Sequence, residues 1–374
     1  MPSSLYIFAA GLLGWKDPWS DAVDTPQAPG HPALSLAKNP TSAPQVASAQ
    51  KYGALRRLAL PRLLFIVLFV AFALILLRPA PVRAAGLDLP PAAKQGLDTL
   101  YSGDTDRAIS AFRQIESADP ESPLGYLLEA DARWWQIYCE ACEIKWNTID
   151  AWQRPRIAAD DAYLALADKG TTLAESRIAQ RDTAEMELYA GTGLLLRARL
   201  MGLRNDRRGT ARAAVAARAH LQKCLELDPQ MSDAYTGLGL YNYYVDTLSA
   251  IAKIMRFFMG IPGGEKQDGI RQLRIAMEQG SLTRVEARFA LAKNLRDYDR
   301  DYAASLVLFS PLVAEYPRNA IFQLLNGDVH AKLGHAAPAA ASYKTAAQTP
   351  VSNPACASRI RDLAAQAASL LPAR

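Results

Sequence analysis

The feature that most restricts what this chain can fold into is a spacing. A glycine, a small residue, a large apolar residue and a proline recur at fixed offsets of a roughly 34-residue unit. Gly96, Ala108, Phe112 and Pro120 take positions 8, 20, 24 and 32 of one register. Counting back from Pro229 gives Ala217, Leu221 and Cys224 at 20, 24 and 27; counting back from Pro317 gives Ser305 and Phe309 at 20 and 24. Gly327, Ala339, Tyr343 and Ala346 take 8, 20, 24 and 27 of a further unit, with Pro350 one residue early. Tyr235, Leu238 and Gly239 fit 4, 7 and 8, and their second helix, carrying Gly269, Leu273 and Ala276, follows an insertion. The pattern has a packing logic. Small residues at 8 and 20 let two antiparallel helices cross closely, position 24 fills the space between pairs, and proline at 32 ends the second helix because it donates no hydrogen bond. A generic Ala-rich bundle would repeat small residues but would not set proline 24 residues after glycine.

These units resemble the tetratricopeptide repeat. The resemblance implies an all-α, TPR-like α-solenoid of antiparallel helix pairs over residues 86–374, with elongated helices and one apolar helical insertion. Periodicity and helix breakers predict helices near 90–102, 104–118, 123–146, 157–180, 183–202, 207–226, 232–245, 266–279, 282–297, 300–315, 319–333 and 337–347. A terminal helix near 354–371 caps the last apolar face, and no strand-like alternation is evident. Two departures stand out. The helices between Trp134 and Leu203 are longer than the repeat allows, and Val245–Gly264 is an apolar insertion. Within it Leu248, Ile251, Ile254, Met255, Phe258 and Met259 recur at helical spacing, a stripe that requires burial, expected in a groove at the mouth of the superhelix.

Around this insertion lie Asp233-Ala234-Tyr235-Thr236-Gly237-Leu238-Gly239-Leu240-Tyr241-Asn242-Tyr243-Tyr244, then Phe257-Phe258-Met259-Gly260, Gly263-Gly264-Glu265-Lys266, Gly269-Ile270-Arg271-Gln272-Leu273 and Leu312-Val313-Ala314-Glu315-Tyr316-Pro317-Arg318-Asn319-Ala320-Ile321-Phe322. This order resembles the tetratricopeptide repeat protein 39 group and its bacterial relatives over roughly residues 205–335. The resemblance implies an α-solenoid adaptor without enzyme activity.

The amino-terminal region reads as targeting. Residues 1–85 hold eight Lys/Arg and three Asp/Glu, whereas residues 86–374 hold 34 of each, so the formal charge of +5 belongs to the first segment. A balanced body argues against nucleic acid as a partner. Residues 1–54 are Pro-, Ala- and Ser-rich, which predicts a disordered leader or an over-long gene start. Residues 55–85 combine Arg56, Arg57 and Arg62 with the apolar run Leu63–Leu77 and a small-residue stretch at Ala84-Ala85. That is a signal peptide cut near Ala84, or an anchor in the inner membrane through residues 63–77. Either way residues 86–374 are expected outside the cytoplasm, in a periplasmic or exported setting. The Ala/Arg/Pro bias fits a GC-rich bacterial genome.

Few residues carry recognisable chemistry. Cys139-Glu140-Ala141-Cys142 has the spacing of a local disulfide, a redox pair or simple helix packing; without a following histidine it does not attach haem. No second ligand pair completes a zinc site, and His330 and His335 are five apart rather than four. No cofactor is expected. Trp134, Trp135, Tyr138, Trp146 and Trp152 form an aromatic cluster that either packs long helices or lines a pocket. Between Arg197 and Lys223 stand eight basic residues and one acid, a stripe in which Arg207 and Arg208 are contact candidates together with Ile254 and Phe258 of the insertion. The functional expectation is a non-enzymatic, exported or membrane-anchored scaffold that binds proteins or peptides. The rival is a lipid or small-molecule binder that uses the insertion 245–264 and the aromatic cluster 134–152. Nothing in the sequence sets an oligomeric state.

Overall fold

The computed structural model describes residues 87–372, apart from Met259 and the side chains of Ile251, Ile254, Met255 and Phe258. The leader 1–54, the apolar run 63–77 and the side chains of the contact candidates Ile254 and Phe258 therefore lie outside what is described. Within the described residues no helix is long and apolar enough to cross a membrane.

The chain is an all-α helical repeat built from consecutive pairs. The pairs are α1 (Pro91–Tyr101) with α2 (Thr105–Ala118), α3 (Pro123–Ala141) with α4 (Ala159–Gln180), and α5 (Ala184–Leu203) with α6 (Arg207–Leu227). Then follow α7 (Ala234–Asp246) with α9 (Lys266–Gln279), the short α8 (Ala250–Phe258) lying between them in sequence. The last are α10 (Arg284–Asn294) with α11 (Tyr302–Glu315), α12 (Ala320–Lys332) with α13 (Ala336–Gln348), and the closing α14 (Pro354–Ser369).

The spacing that forecast the pairs is visible as contact. A Cβ at Gly191 would sit 2.7 Å from the Leu221 side chain, one at Gly239 2.8 Å from Leu273, and one at Gly327 2.6 Å from the Tyr343 ring; Gly96 meets Phe112 in the same way. Position 8 thus faces the large residue at 24 more directly than the small one at 20. Gly191 and Leu221 keep this crossing although they stand fourteen residues further apart in sequence than Gly96 and Phe112. The extra length is divided equally, seven residues on each side of the turn, so the helices extend by about two turns without losing register.

The turns inside pairs share a device the sequence reading passed over. Gly103, Asn205, Arg300 and Gly334 all adopt left-handed φ (93°, 62°, 53° and 74°). In three of these turns an aspartate follows and caps the second helix, Asp104 accepting from the N–H of Arg107, Asp206 from Gly209 and Asp301 from Ala304.

Three features correct the expectations. Helix α3 stops at Ala141 instead of running to residue 146, and an antiparallel hairpin follows, β1 (Cys142–Lys145) with β2 (Thr148–Ala151). Its two-residue turn holds Trp146 and Asn147 at φ 48° and 57°, the primed conformation that suits a hairpin, though without the usual glycine. Second, α10 continues through a π-helical turn, Leu295–Asp299. Ser305 Oγ donates to the Ala292 carbonyl at 2.8 Å, so buried Ala292 occupies the crossing and the π turn absorbs the extra residue. Third, Cys139 is bonded to Cys356, 217 residues away, and not to Cys142, which is a buried free thiol. Cys142 begins β1 and so no longer shares a helical face with Cys139.

That disulfide ties α14 to α3, and other contacts join the same two ends of the array. Asn319 Nδ2 donates to the Tyr101 carbonyl at 2.9 Å, and the Tyr101 ring lies 5.9 Å from Tyr316 and 6.2 Å from Trp135. Trp135 sits at the hub, 4.9 Å from Phe289 and 5.7 Å from Phe322. The array curls until its first and last pairs meet, and aromatic side chains fill the middle on that side.

Candidate functional site

On the other side of the curl the inner helices leave a cavity of about 210 Å³. Its walls come from α1, α3, α5, α7 and α10, with β2 and α6 contributing at the margins. Most of the lining is apolar: Leu124, Leu127 and Leu128 from α3, Leu195 and Leu196 from α5, and Leu240 from α7 are representative. An apolar concavity with few polar groups is the usual form of a small-ligand site.

The polar groups are concentrated at two places. On one wall Arg199 of α5 donates from Nη2 to Asp131 Oδ1 at 2.6 Å and from Nη1 to Glu286 Oε1 at 3.1 Å. Its guanidinium lies 4.5 Å from the centre of the Trp134 ring. Two carboxylates thus share one cation. Glu286 Oε2 and Arg199 Nε are both buried without a hydrogen-bond partner. Burial, reinforced by the nearby Asp131 charge and opposed by Arg199, raises the Glu286 carboxyl to about 7.

The second place is the floor. Lys293 extends its ammonium to Asp150 Oδ2 at 2.7 Å and to Asp297 Oδ2 at 3.1 Å. Asp150, carried by β2, also accepts from the Tyr138 hydroxyl at 2.9 Å. Behind it Arg296, fully buried, donates to Asp297 at 2.7 Å and to Asp328 of α12 at 3.1 Å. Desolvation raises the Asp150 and Asp328 carboxyls, whereas Asp297 is held well below the ordinary range because the Arg296 and Lys293 charges outweigh its own burial. This cluster pins the hairpin to α10 and α12, aided by Lys332 Nζ, which donates to the Asn147 carbonyl at 2.8 Å. Asp233, a third polar point, accepts from the backbone N–H groups of Ser281, Leu282 and Thr283 at 2.7–3.1 Å and holds the entry to α10.

The residues singled out from sequence are divided by the fold. Those that define the repeat sit at crossings and turns, and of them Leu221 also reaches the cavity. The aromatic cluster splits in three: Trp134 and Tyr138 line the cavity, Trp135 fills the hub, and Trp146 stands exposed at the hairpin tip, 4.9 Å from Trp152. The basic stripe is likewise no single surface. Arg199 enters the cavity, Arg204 pairs with buried Asp160, and Arg197 pairs with Asp168. Arg207 and Arg208 lie outside the cavity at the start of α6, where Arg207 Nε donates to Asn205 Oδ1 at 3.2 Å. The insertion touches the site indirectly. The hydroxyl of cavity-lining Tyr241 donates to the Pro262 carbonyl at 2.8 Å, and Arg256 donates to the same oxygen at 2.7 Å. His330 and His335 face each other at 3.3 Å and are not part of the cavity lining, and no group of three or more metal-ligating side chains occurs among the described residues.

Sequence reasoning missed Asp131, Glu286, Lys293 and Asp150. A signal existed for two of them: Glu286 and Lys293 are seven apart, so ionisable residues recur on what must be an inward face of α10. Comparison with known proteins adds no constraint, since no protein-family model matches the chain and no curated protein shows significant similarity to it.

Proposed function

We propose that this chain is a non-enzymatic, exported or membrane-anchored binding protein of the tetratricopeptide-repeat type, whose ligand is a small amphipathic molecule held in the cavity. The supporting observation is the cavity itself. It is apolar, it carries a few fixed polar groups at defined points, and it lies in the concave interior of the helical array. The solenoid surface on which an extended polypeptide would lie is partly taken up, because the first and last pairs meet and Trp135, Phe289 and Phe322 fill that side. This favours the small-molecule reading over protein scaffolding. The position of the insertion agrees with it, since Pro262 is hydrogen-bonded to the cavity residue Tyr241. The disulfide between Cys139 and Cys356 supports an extracytoplasmic setting, where such bonds persist.

The test is native mass spectrometry of protein purified from its own envelope fraction. A retained small molecule at one copy per chain, absent from a Leu195→Trp variant with an unchanged fold, supports the proposal. A co-purifying polypeptide with an unoccupied cavity returns the function to protein scaffolding.

A further inference from the structure

We propose that the cavity selects a ligand bearing a cationic ammonium on an apolar body, with Glu286 and Asp131 as its counter-ions. The inference rests on the cavity being the binding site and concerns the class of molecule it takes.

The ionisable acids and bases lining the cavity are four carboxylates, Asp131, Asp150, Asp233 and Glu286, and two cations, Arg199 and Lys293. Each cation is already engaged by two carboxylates at 2.6–3.1 Å. An anionic headgroup could accept from the unpartnered Arg199 Nε, but any closer pairing with either cation would break one of these carboxylate contacts and leave an acid uncompensated in a low-dielectric wall. A cation relieves an excess that is already present.

Of the two acids on Arg199, Glu286 has a buried oxygen, Oε2, that accepts from no protein group. A buried acceptor without a donor is costly, and a donor supplied by a ligand removes that penalty. Asp233 offers no such vacancy, because its carboxylate is taken up by three backbone N–H groups.

Tyr101, Trp134, Tyr138, Tyr241, Tyr244 and Phe289 all contribute to the lining. Aromatic faces attract cations, and Arg199 over Trp134 is an instance inside this cavity. Leucines from α3, α5 and α7 complete the surface and suit an alkyl or aryl body. The combination of acid, aromatic face and aliphatic wall fits an amine with one apolar substituent, and it disfavours fatty acids and phosphorylated headgroups.

The test is isothermal titration of the intact chain at pH 8 with three probes of equal length: octylammonium, octan-1-ol and octanoate. The expected order is ammonium about tenfold or more tighter than the alcohol, with octanoate weakest. In Glu286→Gln the preference for ammonium over alcohol should fall to about threefold or less, while the affinity for the alcohol is retained. Asp131→Asn serves as the second variant should Glu286→Gln unfold, as judged by its melting curve. Equal binding of ammonium and alcohol, or tightest binding of octanoate, overturns the charge assignment and leaves the cavity reading standing. An undiminished ammonium preference in both folded variants overturns the assignment to these two acids. If none of the three probes binds the wild-type chain, the cavity reading itself fails and this inference with it.

Discussion

Loss of the bond between Cys139 and Cys356 should lower stability more than any surface change, because it closes a loop that spans most of the described residues. The two residues are 217 positions apart, and both are almost fully buried. In the chain-entropy account, cross-linking a loop of that length restricts the unfolded chain by on the order of 5 kcal/mol, while measured disulfides more often yield about 2–4 kcal/mol. An expected loss of about 3–5 kcal/mol follows. At roughly 2 cal/mol/K of unfolding entropy per residue, this corresponds to a fall in Tm of about 5–8 °C. The measurement is urea denaturation followed by circular dichroism, with and without dithiothreitol, on the wild type and on a Cys139→Ala/Cys356→Ala double variant. Reductant should shift the wild type to the midpoint of the double variant and leave the double variant unmoved. Peptide mapping without reduction should recover the 139–356 pair. Cys142 should resist alkylation in the native state, since burial pushes its thiol far above the usual range. A midpoint insensitive to reductant, or a recovered 139–142 pair, would refute the reasoning.

Glu286 supplies a pH signature. Its folded-state carboxyl titrates near 7, above the ordinary glutamate range, so the native chain holds a proton that the unfolded chain has released. Stability should therefore fall as pH rises from about 4.5 to 7, and urea midpoints at pH 5 and 8 should show Glu286→Gln gaining roughly 1–3 kcal/mol on the wild type across that interval. Gly239→Ala should destabilise by about 2–3 kcal/mol in the same assay, because the added methyl would lie 2.9 Å from the Gly269 carbonyl oxygen, where backbone cannot move aside. Asn147→Gly should instead raise Tm by a degree or two, about 0.5–1 kcal/mol, since Asn147 holds a φ of 57° that glycine adopts without strain. A phosphatase reporter fused after Arg374 should be active in cells if the arginines before residues 63–77 direct export; an inactive fusion with an active cytoplasmic reporter at the same site would remove the export reading.

The helix pairs were legible because their signals are local. Gly96 with Phe112 and Gly327 with Tyr343 lie sixteen residues apart, and each spacing encodes one crossing that any chain with this pattern must make. The hairpin at 142–151 was not, since its Trp146-Asn147 turn lacks the glycine that marks such turns, and each of its strands is only four residues long. Ring closure was beyond sequence reading for another reason. Tyr101, Trp135 and Phe322 are individually ordinary core residues, and only the curvature summed over all the pairs brings them together. The cavity acids were concealed in the same way, because a charged residue on a helix is usually solvated and nothing local distinguishes Asp131 from Asp168.

The parts of the chain that depart from the regular repeat are the parts that supply the chemistry of the cavity. A regular first helix ends five residues after its crossing glycine, as Tyr101 does after Gly96 and Lys332 after Gly327. Arg199 stands eight residues after Gly191, inside the extension that α5 and α6 share, so a pair of ordinary length would not carry it to Asp131 and Glu286. Asp150 exists at the floor only because the hairpin interrupts α3 and α4. Lys293 follows directly after the crossing residue Ala292, and Asp297, carried in the π turn, lies 3.1 Å from its ammonium. A repeat optimised for packing alone would have no use for these three irregularities, each of which sets an ionisable side chain in low-dielectric surroundings at some expense in stability. Their convergence on one cavity, from separate helix pairs, is what a binding site requires and what uniform stacking does not produce.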